Sequence, residues 1–426
     1  MTIEIARGKR TVPVRVPESN LLKVLTMNER PPVSDPAGRL RALLEKPTGC
    51  AGLVEMARGR SSACVLICDI TRPVPNRVLL PSILDSLHLA GLGKEDILVL
   101  IATGMHRPNL GDELVELVGP EIALSYNVQN HYALDADAHR SAGLTSHGTD
   151  ALLDRRFLDA DLKIATGFIE PHLMAGYSGG RKLVIPGVAS LETVKRMHRP
   201  EIIDHPRARE GVLEGNPFHE EAVETARMAG LDFIVNVALN ERREITGIFA
   251  GDMEAAHLEG VDFVRGMVRS TAPAPADIVI TGGGGYPLDA TWYQTIKGLT
   301  AAMPVVKEGG TIIIVSSCDR GIGSEEFAGL VRRYSDLDRF MADIYRPEFF
   351  VIDQWQFHEY VRAAKKARIV LVADGLSPEE KQGMHIAWSE SVEDALAAEL
   401  SRYGGGATVT VIPRGPYVLA EAESAP

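Results

Sequence analysis

A chain of 426 residues exceeds what one hydrophobic core usually organises, so two domains are expected. Its net charge of −12, with no long run of Lys or Arg, argues against a nucleic-acid face. The hydrophobic share is an ordinary 45% and no uninterrupted apolar stretch reaches membrane length, so a soluble globular protein without a membrane partner is expected.

The four cysteines, Cys50, Cys64, Cys68 and Cys318, have neither zinc-knuckle spacing nor the look of a disulfide framework. They read as reduced, which points to the cytoplasm. The opening residues MTIEIARGKR do not read as a signal peptide.

Thr2–Ala6 and Val12–Val16 alternate and predict a hairpin, and 33–46 predicts a helix stopped by Pro47. Ala63–Cys68 is short and wholly apolar, as a buried parallel strand is. The polar run Asp69-Ile70-Thr71-Arg72-Pro73 follows at once. Open α/β sheets place ligands at the carboxyl ends of such strands. There Asp69 could orient a hydroxyl or a ribose, and Arg72 could clamp a carboxylate or phosphate. A local Asp–Arg pair fixing a turn is the structural alternative. A helix over Asn76–Leu89 leads to a strand over Asp96–Ala102 and a second polar cluster, Thr103–Pro108, containing His106. An imidazole titrates near neutrality and suits proton transfer. Two such clusters at equivalent strand ends suggest one crevice. His131, His139 and His147 are spaced by eight, match neither helix nor strand period, and read as ordinary hydrogen-bonding or surface histidines.

Leu162–Thr166 predicts a third strand, which runs into the stretch Thr166–His198. Glu170 and His172 come first, then Gly176, Ser178, Gly179 and Gly180, then Arg181 and Lys182. Glycines permit positive φ and close backbone approach. A lysine held there is either a point charge for phosphate or a nucleophile. A turn followed by a solvated basic pair is the bland alternative. A helix over 216–231 and strands over Phe233–Leu239 and Ile245–Phe249 follow.

STAPAPA at Ser270–Ala276 reads as a linker, after which the strand–helix pattern restarts. The expected division is therefore 1–270, a linker at 271–275, and 276–426. Asp277–Thr281, Gly310–Ser316, Ile369–Ala373 and Ala407–Ile412 predict strands, and Ser391–Arg402 a helix. The glycines 282–285 could cradle an anion on backbone donors. A helix over 290–302 puts Tyr293, Gln294 and Lys297 close together on its surface. Trp355 either walls a pocket or packs a core. The tail after Pro416 either frays or crosses back to the first domain.

Taken together and in this order, DITRP at 69–73, TGMHRP at 103–108, EPHLMAGYSGGRK at 170–182, His198, YQTIK at 293–297 and Trp355 carry a resemblance. The chain resembles the lactate racemase family, the nickel-pincer-nucleotide racemases and epimerases of 2-hydroxy acids. The resemblance implies an α/β fold of two α/β domains with parallel-sheet cores and an active-site cleft between them. It implies a cofactor, nickel pyridinium-3,5-bisthiocarboxylic acid mononucleotide, joined to Lys182 through a thioamide, with His198 as a ligand of Ni(II). By the same likeness His106 and His172 are the catalytic acid/base pair. Arg72, Tyr293, Gln294, Lys297 and Trp355 match substrate positions, and Asp69, Thr71, Gly176, Ser178, Gly179 and Gly180 match cofactor positions. Cofactor maturation enzymes are the implied partners.

The chemistry fits the residues. The hydrogen on C2 of a 2-hydroxy acid is too weakly acidic for a histidine to remove, but it can leave as hydride when the hydroxyl loses its proton. Hydride return to the other face of the planar ketone inverts the carbon. That scheme asks for a hydride acceptor, which a cofactor supplies, and for two histidines, one for each enantiomer's hydroxyl. A lactate racemase is the leading expectation, with malate or another 2-hydroxy acid, aldonates included, as the alternative. Arg107, Arg181 and Arg320 leave room for a second substrate carboxylate. Two readings of other kinds compete. A zinc hydrolase would need three protein ligands on one metal, and a non-catalytic metabolite sensor would need only one of the two histidines.

Overall fold

The computed structural model describes residues 1–423 and divides into two compact units. The central unit is Glu29–Met267, and the second joins Met1–Asn28 to the chain from Val268 onward. The first 28 residues, read above with the N-terminal domain, thus belong with the C-terminal half. The reason is strand pairing. An antiparallel hairpin, β1 (Thr2–Arg7) and β2 (Arg10–Arg15), is followed by β3 (Leu21–Val24), which joins the sheet of the C-terminal half.

The central unit is built on β4 (Ala63–Cys68), β5 (Ile97–Ala102) and β6 (Asn127–Asn130). A hairpin of β7 (His139–Leu144) and β8 (Asp150–Asp154) leads to β9 (Leu162–Phe168). A two-residue ribbon follows, β10 (Pro171–His172) against β11 (Gly176–Tyr177), then β12 (Phe233–Leu239) and β13 (Ile245–Gly251). The sheet order is β13-β12-β9-β4-β5-β6, with β13 antiparallel and the rest parallel. The chain runs outward from β4 to β6, then returns to lay β9 on the other side of β4. That reversal leaves a crevice at the carboxyl ends of β4 and β9, the place where doubly wound sheets bind ligands. Val65, Leu66, Ile67, Val99, Leu100, Ile164 and Val235 are buried. Strands covered on both faces read as continuous apolar runs, which is why these were legible.

The second unit continues with β14 (Arg269–Ala272), β15 (Ala276–Gly282), β16 (Val306–Ser316) and β17 (Arg368–Ala373). It ends with β18 (Ala387–Trp388), β19 (Val409–Ile412) and β20 (Leu419–Ala422). Its sheet is parallel throughout, in the order β18-β17-β16-β15-β19-β3. The expected linker is in part a strand: β14 pairs in parallel with β20, so the tail is tied down beside the segment where the unit begins. No helix among the described residues is long and apolar enough to cross a membrane.

Candidate active site

Three adjacent strands of the central unit, β9, β4 and β5, end in the three polar clusters picked out from the sequence. Asp69 is buried at the end of β4. Its Oδ1 accepts from Thr71 N–H at 2.9 Å and from Thr71 Oγ1–H at 2.5 Å. Its Oδ2 lies 2.6 Å from His106 Nδ1 on the loop after β5. Burial works against this carboxylate, but His106, Thr71 and Arg72 outweigh it and hold it down to about 2. An ionised Asp69 accepts from His106 Nδ1–H, which leaves Nε2 of that ring as the nitrogen able to take a proton. Both Asp69 oxygens are therefore engaged within the protein.

Arg72 Nε stands 3.6 Å from Glu170 Oε1, so the turn after β4 is tied to the turn after β9 rather than only to Asp69. The Thr103–Pro108 loop is tied to the lysine turn in turn, since Gly104 N–H donates to Gly187 C=O at 2.9 Å.

His172 sits on the small ribbon β10–β11. Its Nδ1 accepts from the N–H groups of Met174 and Ala175, each at 3.2 Å. Its Nε2 lies 2.7 Å from Lys182 Nζ. Lys182 rides on a single tight turn of helix, Gly180–Leu183. Gly176 and Gly179 are required there for two reasons: both have positive φ (76° and 82°), and a Cβ would strike Val212 C=O in the first case and Asn236 in the second. Ser178 Oγ–H donates to Phe168 C=O at 2.6 Å and so pins the turn to the end of β9.

Arg181 does not face solvent or a ligand. It is 1% exposed, and its guanidinium donates to the carbonyls of Ala175 (2.9 Å), Gly179 (3.1 Å) and Ser178 (3.3 Å). Burial alone pulls its pKa down to about 9. His257 Nε2–H donates to Ser178 C=O at 2.9 Å, and Asn236 Oδ1 accepts from Gly180 N–H at 3.1 Å. The turn that carries Lys182 is thus held from behind by buried polar groups.

His198 closes the helix Leu191–Met197, and its ring is buried. Nδ1–H donates to Val194 C=O at 2.8 Å, which leaves the lone pair on Nε2. Burial lowers its pKa to about 4, so the ring is neutral and suited to bind a metal. Among the described residues no group of three or more His, Cys, Asp or Glu side chains could hold a metal ion between them. A single neutral imidazole fits a metal whose remaining donors come from a bound cofactor. It does not fit the three-ligand zinc site of a hydrolase.

One aromatic ring draws these groups together, and the sequence reading missed it. Phe218 lies 5.2 Å from the His198 ring, 6.5 Å from the His172 ring and 5.4 Å from Lys182 Nζ. Its helix, Pro217–Met228, is capped by Asn216, whose side chain accepts from the N–H groups of Phe218 and His219. The Asn216 amide also donates to Met174 C=O at 2.9 Å, beside His172. Nothing local in the sequence marks Phe218, because its role depends on three residues brought to it by the fold.

In the second unit Thr291 caps the helix Trp292–Ala302, on which Tyr293, Gln294 and Lys297 stand one turn apart, half-buried. Trp355, on the helix Gln354–Lys366, donates from Nε1–H to the Tyr293 hydroxyl at 3.1 Å. Trp355 is also buried, so it both packs and fixes Tyr293. Gln294 Oε1 is buried without a hydrogen-bond partner among the described residues, which is costly unless something donates to it. The glycines 282–285 do not form an open anion cradle. The hairpin turn at Gly8 fills the space: Tyr286 N–H donates to Gly8 C=O at 2.8 Å, and Gly8 N–H to Asp289 Oδ2 at 2.7 Å. His131 and His139 are buried, with their Nε2 atoms 2.9 Å apart, and Thr103 Oγ1–H donates to His131 C=O at 2.7 Å. They brace the loop that carries His106 from below.

Comparison with known proteins agrees with this arrangement. Residues 7–211 match the Lactate racemase N-terminal domain and residues 271–420 the Lactate racemase C-terminal domain. A lactate racemase of Lactiplantibacillus plantarum is 39% identical over 379 residues, covering 88% of this chain and 89% of that protein. One of Thermoanaerobacterium thermosaccharolyticum is 34% identical over 429 residues, 98% of each chain. The structure of the lactate racemase apoprotein from the latter organism superposes with a TM-score of 0.93 at 33% identity, covering 99% of this chain and all of that one. A Thermotoga maritima protein shares the fold at 18% identity, with a TM-score of 0.69 over 93% of this chain and all of that one. Sequence and fold agree along nearly the whole length, and the chain belongs to the lactate racemase family.

Proposed function

We propose that the protein is a lactate racemase that uses a nickel-pincer nucleotide. The observation that carries the reading is the grouping of His172, Lys182 and His198 around one ring, with an Asp69-oriented His106 at the end of a neighbouring strand. The residues fit such a cofactor. Lys182 offers the attachment amine, His198 one neutral nitrogen for Ni(II), and Thr71, Gly176, Ser178, Gly179 and Gly180 the turns around it. When bound, the cofactor supplies the acceptor and donor of the C2 hydride. Asp69, expected to hold the nucleotide, fits better as the group that orients His106, since both its oxygens are already engaged.

The chain's own residues then divide the remaining work. In the central unit Arg72 is the proposed cation for the substrate carboxylate; in the second unit Lys297, Gln294 Oε1 and the hydrogen-bonded pair of Tyr293 and Trp355 are the proposed substrate groups. His106 and His172 each take the hydroxyl proton of one enantiomer and return it to the other. Two candidates for a second carboxylate are committed elsewhere. Arg107 is paired with Glu113 through two contacts of 2.6 Å, and Arg181 is buried behind the lysine turn. Arg320 is exposed and remains the one to examine. This favours a monocarboxylate over malate. All four cysteines are free, in keeping with a reducing, cytoplasmic setting, and delivery of the cofactor calls for maturation enzymes as partners.

A chiral assay of the nickel-loaded protein tests the reading. Interconversion of D- and L-lactate, with C2 deuterium retained, is the expected result. A kcat/KM for malate well above that for lactate would replace the substrate, and no inversion of any 2-hydroxy acid would remove the activity.

A further inference from the structure

His106 takes its orientation from Asp69, and Asp69 takes its own from the turn after β4. Its Oδ1 accepts from Thr71 N–H and Thr71 Oγ1–H two residues on, so the carboxylate moves with that turn. Where it meets His106 Nδ1 therefore depends on how the turn sits against the loop after β5. Asn109, 1% exposed, spans the two. Its Oδ1 accepts from Ile70 N–H, next to Asp69, at 3.2 Å, and its Nδ2–H donates to Glu113 Oε2 at 3.3 Å. An N–H on one side and a carboxylate on the other allow the amide only this orientation. The Asn109 backbone is held in turn by the buried Asn130, the last residue of β6. Asn109 N–H donates to Asn130 Oδ1 at 2.8 Å, and Asn130 Nδ2–H donates to Asn109 C=O at 3.0 Å. The bonds close a ring: from Asp69 to His106, along the loop to Asn109, and back through Ile70 N–H to Asp69.

We propose, building on the reading of His106 as an acid/base group, that Asn109 is a positioning residue for it. Asn109 acts through Asp69 and not on the reacting atoms. With the ring closed, the Asp69–His106 and Ile70–Asn109 bonds together fix the turn against the loop. The carboxylate then stays in line with Nδ1, the ring hydrogen stays on Nδ1, and Nε2 keeps one direction. Without the Asn109 oxygen, a single bond joins Asp69 to His106 and acts as a hinge. The turn can shift about it, the carboxylate leaves the line of Nδ1–H, and the hydrogen is shared between the two ring nitrogens. A general base with its hydrogen on the wrong nitrogen cannot take a proton there. Precise support of this kind is what a reacting group needs from the residues behind it.

The test reads the ring itself. The full-length protein is made with isotope-labelled histidine, and long-range proton–nitrogen NMR spectra at mildly alkaline pH report which ring nitrogen carries the hydrogen. His106 is identified by the signal missing in His106→Gln. Wild type should show one tautomer, with the hydrogen on Nδ1. Asn109→Leu keeps the bulk and removes the acceptor. Its two ring-nitrogen signals should move toward each other, as the tautomer ratio falls about two- to tenfold, the share of one typical intramolecular hydrogen bond. Asn109→Asp combined with Glu113→Gln exchanges donor and acceptor between those two positions, keeps an oxygen for Ile70 N–H, and should restore the wild-type spectrum. In the loaded enzyme kcat for lactate should fall about two- to tenfold in Asn109→Leu and recover in the double variant, with KM near wild type. An unchanged His106 tautomer or an unchanged kcat in Asn109→Leu overturns the proposal, whatever the melting temperature does. A shift that the double variant does not reverse overturns it as well. If Asn109→Leu fails to fold, Asn109→Ala takes its place under the same criteria. The spectra need no substrate, nickel or nucleotide, so they decide the role of Asn109 while the chiral assay decides the racemase reading separately.

Discussion

The two units are both doubly wound parallel sheets, and each has a crevice where its strand order reverses. In the central unit that crevice lies between β4 and β9, and its rim holds Asp69, Arg72, Glu170 and His172. In the second unit the reversal falls between β15 and β19, and the protein fills it with itself. Ala6 N–H donates to Pro413 C=O there, and the Gly8 turn is bonded to Tyr286 and Asp289. The same topology therefore yields a candidate site in one unit and a plug in the other. Topology offers the place, and the side chains on the rim decide whether it serves a ligand. The candidate residues of the second unit, Tyr293, Gln294 and Lys297, stand instead on a helix, Trp292–Ala302.

Removing the rim histidines should give the largest effect and would break the comparison if it did not. His106→Ala and His172→Ala should each slow lactate racemisation about 10²–10⁴-fold in both directions. Wild-type rates in either variant would mean that the central crevice is not the reacting one. His198→Ala should fold normally yet lose nickel from the loaded protein, read by metal analysis. Full nickel occupancy would remove His198 as the ligand.

Asp69→Asn should come next. It keeps the shape but removes the charge that fixes the His106 tautomer, so kcat should fall by about 10²-fold with KM nearly unchanged. A pH series of stability sharpens the point. A carboxylate held at about 2 against an ordinary 3.8 contributes about 2 kcal/mol, on the order expected from the shift. The contribution is fully present above the ordinary value and is lost as pH falls through about 2. The Asp69→Asn protein should lack this part of the acid limb in chemical unfolding.

Much of this was legible in the sequence, for a physical reason. Strands buried on both faces, such as Ala63–Cys68 and Phe233–Leu239, announce themselves as local apolar runs, and both were placed with the bounds observed. The helix over Asn76–Leu89 was equally clear, its turns and cap being local. His106, His172 and Lys182 stood out as candidates because they lie shortly after such strands. What was missed is non-local. β14 pairs with β20 far along the chain, so its Ala-Pro-rich neighbourhood read as a linker. β3 joins a sheet whose other strands come from the far end of the chain. Phe218 gains its place only when the ribbon, the lysine turn and the His198 helix are folded against it. Arg181 looked like a second basic group beside Lys182, and nothing in GGRK says that the arginine is fully buried while the lysine reaches His172.

The smallest expected effect belongs to the plugged crevice. Asp289 is buried at its floor and accepts from Gly8 N–H and Ser317 N–H. Burial is the largest influence on it and raises its pKa, which the Gly8 and Ser317 hydrogen bonds only partly oppose. The sign is opposite to that of Asp69. A carboxyl whose folded value is raised binds its proton more readily in the native state, so stability falls as pH rises from the ordinary range through the raised value. Asp289→Asn keeps one acceptor oxygen and cannot ionise, so it should remove that decline while costing some of the hydrogen bond to Gly8. Urea unfolding at a series of pH values reads both. The variant should gain on wild type as pH rises from about 3 to 6, the span around an ordinary carboxylate, and loaded enzyme should racemise lactate at close to the wild-type rate. A loss of turnover comparable to that of Asp69→Asn would show that the second crevice takes part in the chemistry, and the distinction between site and plug would fall.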